Sequence, residues 1–183
     1  MRVREIFKLS IVLVIITVVS GSLLGVTNNV TKDIIEEKAM EANIEYMKEI
    51  FPDADTFSVV EDIDFDLAEE AYVAYESDEI IGYVIKTVKS GYGGDIVQLT
   101  GIYIDDVIAG IRIASHNETP SLGEKIVEVD FRDQFVNKSA KAELKLDGDD
   151  DDSIDGITGA TTSSKAVIDA VNSAIKLYES LFK

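Results

Sequence analysis

Apolar and polar positions divide the chain into three regimes. Leu9 to Val26 reads LSIVLVIITVVSGSLLGV, and no charged residue occurs from Leu9 through Thr31. Eighteen helical residues at about 1.5 Å each span roughly 27 Å, close to the hydrocarbon thickness of a bilayer. The Ser and Thr inside this run are compatible with a span because their hydroxyls bond back to helix carbonyls. Arg2, Arg4 and Lys8 precede it, with Glu5 alone against them. The run is long for a cleaved signal peptide, and no small-x-small cleavage site follows it. It therefore reads as an uncleaved anchor, with the N-terminus in the cytoplasm and the bulk of the chain outside the membrane.

A second regime follows with mixed periods. In residues 31–50, Ile34, Ile35, Lys38, Ala39, Ala42, Tyr46 and Ile50 fall near helical spacing. Thr31 is placed to cap this helix and Pro52 to end it. Tyr72–Tyr75, Ile80–Val88, Ile96–Ile104 and Val107–Ala114 are rich in β-branched and aromatic residues and predict strands. Gly91-Tyr-Gly-Gly94 separates two of them and Asp105-Asp106 two more, the pattern of adjacent antiparallel strands. Val127–Asn137 predicts a short helix. The third regime is Ser163–Phe182, where Val167, Ala170, Val171, Ala174, Ile175, Tyr178, Leu181 and Phe182 form one stripe of an amphipathic helix. The class is α+β: a single N-terminal transmembrane helix, then one compact domain with an antiparallel sheet and flanking helices. The expected segments are a cytoplasmic N-terminus (1–8), the anchor (9–28), a linking helix (29–52) and the extracytoplasmic domain (53–183).

Composition narrows the chemistry. The chain has 183 residues, no cysteine and one histidine, His116. Disulfides, thiolate metal sites, a lipidated N-terminal cysteine and a thiolate-held iron–sulfur cluster are excluded, and a lone His makes no His-rich metal site. Any redox group is then an organic cofactor. The formal charge is −18; removing Arg2, Arg4, Lys8 and Glu5 leaves 14 basic and 34 acidic residues, a net −20 after the anchor. Such a domain is repelled by nucleic acid and by anionic lipid surfaces.

Asp155-Gly-Ile-Thr-Gly-Ala-Thr161 lies just before the last helix and is followed by Thr162-Ser163-Ser164. Small residues let a bulky group approach the backbone, and a helix N-terminus offers unpaired N–H groups and a partial positive charge that suit a phosphate. Ser and Thr are also ordinary N-cap residues, so the stretch by itself leaves a purely structural reading open. Upstream, Ser115-His-Asn-Glu-Thr-Pro-Ser-Leu-Gly-Glu-Lys125 has the punctuation of a turn.

Together these stretches resemble the FMN-binding domain family. Asp155, Thr158, Gly159, Ala160 and Thr161 match its flavinylation motif of Asp, two variable residues, Ser or Thr, Gly, Ala, Thr. Residues 116–123 are similar to its His-x-Glu-Thr-Pro-Gly-Leu-Gly stretch, with Ser121 in place of the usual Gly. Gly91-Tyr-Gly-Gly94 is similar to its lead-in. The resemblance implies one FMN per chain, joined through a phosphoester to Thr161 by a flavin transferase that uses FAD and recognises Asp155. It implies a flavin site formed by Tyr92, Gly93, His116, Glu118, Thr119, Leu122, Gly123, Thr158, Gly159, Ala160, Thr162 and Ser163, with no catalytic side chain and no metal. A threonine hydroxyl is a weak nucleophile that needs an activating base or metal, which accords with an outside enzyme.

Within that family the compact arrangement of anchor and domain resembles the G subunits of Rnf-type ferredoxin:NAD+ oxidoreductases, membrane complexes that couple electron flow to Na+ or H+ translocation. That resemblance implies other Rnf subunits as partners. The C subunit of Na+-translocating NADH:quinone reductases is the second reading, and a stand-alone anchored flavin module the third. The acidic run Asp147-Gly-Asp-Asp-Asp-Asp152 departs from the EF-hand pattern at position 6 (Asp152, where Gly is required) and position 12 (Thr158, where Glu is required), and reads as a solvated loop.

Overall fold

The computed structural model describes residues 3–182 apart from 62 and 65. The chain divides into two compact units, Met1–Glu41 and Ala42–Lys183. Helix α1 is Val3–Ile50. Its Ser10–Thr27 stretch has a mean hydropathy of 2.3 and is fully exposed, so it is long and apolar enough to cross a membrane. Thr31 does not cap a helix start. It lies inside α1, where its hydroxyl donates to the Thr27 carbonyl at 2.7 Å. No Gly or Pro occurs from Val26 to Ile50, so nothing there interrupts the helix. The side chains of Ile34, Ile35 and Ala39 lie outside the described residues.

In the second unit five strands form one antiparallel sheet in chain order: β1 (Thr56–Val59), β2 (Glu70–Glu76), β3 (Glu79–Ser90), β4 (Asp95–Tyr103) and β5 (Ile108–Ser115). The hairpin residues Ser77, Asp78 and Asp106 take the left-handed conformation that tight turns with matching twist require. The four strands read from the sequence are present; β1 is the addition. It is short, mostly exposed and at the sheet edge, so it carries little of the alternation that marks a half-buried strand.

Both faces of the sheet are covered. On one face Ala71, Ile85, Ile96, Ile102, Ile111 and Ile113 pack with α3 (Thr161–Phe182), whose Val167, Val171, Ala174 and Tyr178 are buried. On the other, Tyr72, Ala74, Val84 and Leu99 pack against Met47, Ile50 and Phe51 at the end of α1. The segment read as a linking helix thus supplies part of the domain's core. A Cβ on Gly101 would lie 2.2 Å from the Ile50 Cγ2, so the absence of a side chain there lets α1 approach the sheet.

Two expectations need correction. Val127–Asn137 is not one helix but a 3-10 turn (Gly123–Val127), a single turn α2 (Val129–Arg132) and a second 3-10 turn (Asp133–Phe135). Glu128 is extended at φ −67°, ψ 146°, and the broken path brings Ile126, Phe131 and Phe135 into one core, whereas a straight helix at about 3.6 residues per turn would point Ile126 away from the other two. In α3 the stripe departs only at Leu181, which is exposed; Phe182 packs against the core and stacks on Tyr83 with ring centroids 3.7 Å apart. Two-residue strands β6 (Lys145–Leu146) and β7 (Ser153–Ile154) pair in parallel and close off the acidic loop between them.

Candidate functional site

The site assembles where three segments meet: the β3–β4 turn, the loop after β5 and the start of α3. Each is placed by the sheet and its covering helix. Glu118 joins them. Its carboxylate is 5% exposed and accepts hydrogen bonds from the Tyr92 N–H (2.9 Å), the Gly93 N–H (3.1 Å) and the Ser163 hydroxyl (2.5 Å). Ser163 is itself buried in the first turn of α3. A buried carboxylate needs such donors, and three of them meet that need.

Close approach at this junction explains two glycines. A Cβ on Gly93 would stand 2.0 Å from the Asn117 carbonyl oxygen, and one on Gly123 would stand 2.7 Å from a Glu118 carboxylate oxygen and 2.9 Å from the Ser163 hydroxyl. Ser121, where the family pattern has Gly, takes φ 63°, the left-handed region, so the turn keeps its shape at the expense of strain in this residue. Its N–H donates to the Glu124 carboxylate at 3.1 Å.

The junction encloses a cavity of about 440 Å3 lined by Tyr92, Glu118, Thr119, Leu122, Gly123, Gly159, Ala160, Thr161, Thr162 and Ser163. That volume is within the range of roughly 300–1,000 Å3 typical of small-molecule sites. Thr161 opens α3 and is exposed, with its neighbours Gly159 and Ala160 keeping the approach narrow-sided and unobstructed. Tyr92, 75% exposed, stands at the rim with Leu122, and offers an aromatic face to a planar ligand.

Of the residues singled out from the sequence, ten line this cavity, and Gly93 supports it through Glu118. His116 does not line it. It faces a neighbouring cleft and acts on the cavity through the backbone, its Nδ1 accepting the Glu118 N–H at 3.2 Å. Thr158 and Asp155 are exposed and also lie off the cavity wall. Three residues outside the expected flavin site hold the 155–161 loop in place. Gln134 takes both main-chain groups of Asp155, accepting from its N–H at 2.8 Å and donating to its carbonyl at 3.4 Å. Asp147 accepts the Gly156 N–H at 2.6 Å, and Ser164 accepts the Ile157 N–H at 2.9 Å. Ser164 was visible in the TTSS run; Gln134 and Asp147 give no sequence signal of this role. The acidic run is thus partly structural, since Asp150 also pairs with Lys145 at 2.8 Å and accepts from the Ser153 hydroxyl at 2.6 Å.

This geometry can be set beside known proteins. The family model of FMN-binding domains matches residues 91–176, which contain all three segments of the cavity, and the model of the RnfG N-terminal region matches residues 1–50. The G subunit of the Na+-translocating ferredoxin:NAD+ oxidoreductase complex of Acetobacterium woodii is 38% identical over 98% of this chain and 95% of its own. The chain belongs to the G-subunit family of ion-translocating oxidoreductase complexes. A second member, from Methanosarcina acetivorans, is 35% identical over 94% of each chain. The crystal structure of NqrC from Shewanella oneidensis superposes on the fold with a TM-score of 0.54 at 16% identity, covering 72% of this chain and 71% of that one. The α+β fold is therefore shared with that protein. For a G-subunit family chain, the apolar helix Ser10–Thr27 and its relatives in ion-translocating complexes suggest a membrane-anchored protein.

The residues present suit FMN. The cavity has the volume for a small organic cofactor, an exposed tyrosine among its lining residues, and two glycines, Gly123 and Gly159, in its wall. Glu118 draws its backbone donors from the β3–β4 turn and not from α3, and among the described residues the Thr161, Thr162 and Ser163 N–H groups have no backbone partner, so they can face a phosphoryl group.

Proposed function

We propose that this chain is the FMN-carrying electron-transfer subunit of an Rnf-type ferredoxin:NAD+ oxidoreductase that couples electron flow to Na+ or H+ translocation. The FMN is joined to Thr161 through a phosphoester. The observation that carries this reading is the position of Thr161: exposed, at the first residue of α3, and on the wall of the cavity that residues 92, 118–123 and 159–163 enclose.

In this reading a flavin transferase presents FAD. The Thr161 hydroxyl oxygen forms a bond to the phosphorus of the FMN half, the phosphoanhydride bond breaks, AMP leaves, and the threonine proton passes to the transferase. Asp155, exposed on the loop before Thr161, is a contact for that enzyme. Bound FMN supplies exchange of electrons singly or in pairs. The chain's own residues hold and orient it: the α3 N-terminus faces the phosphoryl group, Gly159 and Ala160 leave it room, and Tyr92 and Leu122 flank the planar ring at the rim. His116 and Thr158 take part from outside the cavity wall. Other membrane subunits of the complex give and take the electrons. The single N-terminal span keeps the N-terminus in the cytoplasm and the FMN domain on the extracytoplasmic side.

Intact mass and in-gel flavin fluorescence, after co-expression with a flavin transferase, test the attachment. Wild type and Thr162→Ala each gain one FMN, and Thr161→Ala gains none. Flavin retained on Thr161→Ala, or absent from wild type beside an active transferase, refutes it.

A further inference from the structure

A second cleft, of about 530 Å3, adjoins the flavin cavity through the 116–118 stretch and is separate from the FMN site. After the anchor the chain has only two arginines, Arg112 and Arg132, and a single histidine, His116. All three line this cleft, although they come from β5, from α2 and from the loop between. In a domain with a net charge of −20, this convergence makes the one place where guanidinium groups cluster.

The two arginines differ in how well they are satisfied. Arg112 donates from Nε to Glu49 at 2.6 Å and from a terminal nitrogen to the Ile111 carbonyl at 2.7 Å. The Nε of Arg132 is buried and has no hydrogen-bond partner among the described residues. Burial and the nearby Arg112 hold the Arg132 guanidinium below its ordinary range, against the weaker opposing influence of Glu49, Asp133 and Tyr46. The residue as a whole is part-exposed on the cleft wall, so the remaining guanidinium donors can take an added acceptor of negative charge there.

The shape of the cleft indicates what brings that acceptor. Five consecutive residues, Arg112 to His116, line it, and they are the end of β5, the edge strand of the sheet, and the residue after it. Nearer its start the β5 edge is occupied: the Ile108 N–H donates to the Lys138 carbonyl and the Asn137 N–H to the Ile108 carbonyl. From Arg112 to Ser115, main-chain partners among the described residues come from β4 alone. An edge of this kind pairs readily with an extended chain.

We propose that this cleft receives an extended acidic segment of another subunit, laid along the outer edge of β5 with a carboxylate on Arg132. The proposal rests on membership of a multi-subunit complex. Charge selects the site, since an acidic segment is repelled by the rest of the domain and attracted here. Placement gives it a purpose: the partner seats two residues from Glu118, beside the flavin cavity.

The test uses the whole complex, purified through a tag on a different subunit. A photo-crosslinking residue replaces Ser115, exposed in the cleft, or Asp169, exposed on α3, as the control. Ser115 is expected to crosslink to another subunit at a segment containing Asp or Glu, and Asp169 is not. In the double variant Arg112→Gln, Arg132→Gln the Ser115 crosslink falls roughly tenfold or more, as expected on truncating a part-buried charge pair. Arg132→Lys, which keeps the charge, retains more of it. Flavin fluorescence on the chain, read in the same gel, shows that each variant is folded. No crosslink from Ser115 while the wild-type chain co-purifies, a crosslinked segment without Asp or Glu, or an undiminished crosslink in a flavin-bearing double variant overturns the proposal. A wild-type chain that carries flavin yet co-purifies with no other subunit refutes complex membership instead, and the proposal falls with it.

Discussion

Replacing Glu118 tests the central claim about the site, that one buried carboxylate fastens three segments together. Hydrogen bonds to a charged acceptor contribute about 1.5–3 kcal/mol each. Glu118 accepts three, from Tyr92, Gly93 and Ser163. In Glu118→Ala the losses are unequal. Tyr92 and Gly93 sit in an exposed turn, so their N–H groups can turn to water, whereas Ser163 is 1% exposed and its hydroxyl is left without a comparable partner. The net cost is then about 3 kcal/mol, or a fall in Tm of roughly 6–12 °C for a protein of this size. Glu118→Gln keeps one oxygen for the two N–H donors and offers an amide N–H to the Ser163 oxygen, so it costs about 1 kcal/mol, roughly 2–4 °C. Thermal unfolding of the detergent-purified chain measures both, and flavin occupancy measured on the same samples falls in the same order, alanine furthest. A loss below about 1 kcal/mol for Glu118→Ala, or equal losses for the two variants, would show that Glu118 does not hold the junction.

Other expectations follow from single positions. Ser121→Gly relieves a left-handed backbone that costs a non-glycine residue about 1–2 kcal/mol and gives back about 0.5–1 in unfolded-chain entropy, so Tm rises by roughly 2 °C with flavin loading unchanged. Gly93→Ala drives a Cβ into the Asn117 carbonyl and displaces the N–H that Glu118 accepts; it is expected to cost about 2 kcal/mol in denaturant unfolding and to lower flavin incorporation more than its loss of stability explains. Tyr178 is buried and donates to Asp106 at 2.9 Å, and burial, then that carboxylate, hold its phenol above the ordinary range. Its stabilising contribution is complete below the unfolded value near pH 10 and is lost as pH rises toward the folded one, so wild-type stability falls above about pH 10. Tyr178→Phe is less stable at neutral pH and shows a shallower alkaline loss, the remaining slope coming from Tyr72, which burial and Glu70 push upward, and from Tyr83, which burial also raises. A slope identical to wild type would count against this assignment.

Much of the protein is legible in local sequence because the relevant forces act between near neighbours. Eighteen uncharged residues define an apolar helix; alternation with β-branched residues defines β2 to β5; a 3.6-residue stripe defines α3. The Asp155–Thr161 motif is local as well, since the small residues and the helix start that make a phosphate-compatible loop are contiguous. What depended on tertiary structure is whatever required residues distant in sequence to meet. Glu118 is bonded to Tyr92 and Gly93, 26 and 25 positions earlier, and to Ser163, 45 positions later, and nothing in those intervals announces it. Gln134 and Asp147, which hold the motif loop, were likewise silent. The 127–137 segment looked helical because its apolar spacing permits a helix, but burying Ile126, Phe131 and Phe135 under the sheet favoured three separate turns. His116, placed by its motif at the flavin site, faces the neighbouring cleft, because its ring is turned to accept the Glu118 N–H. The sequence alone determined the apolar N-terminal helix, β2 to β5 and the bulk of α3, but not β1, the broken 127–137 path or the start of α3 at Thr161. Only packing decided which side chains converge there, because the free energy of a buried charge depends on donors that the fold, not the chain order, brings within reach.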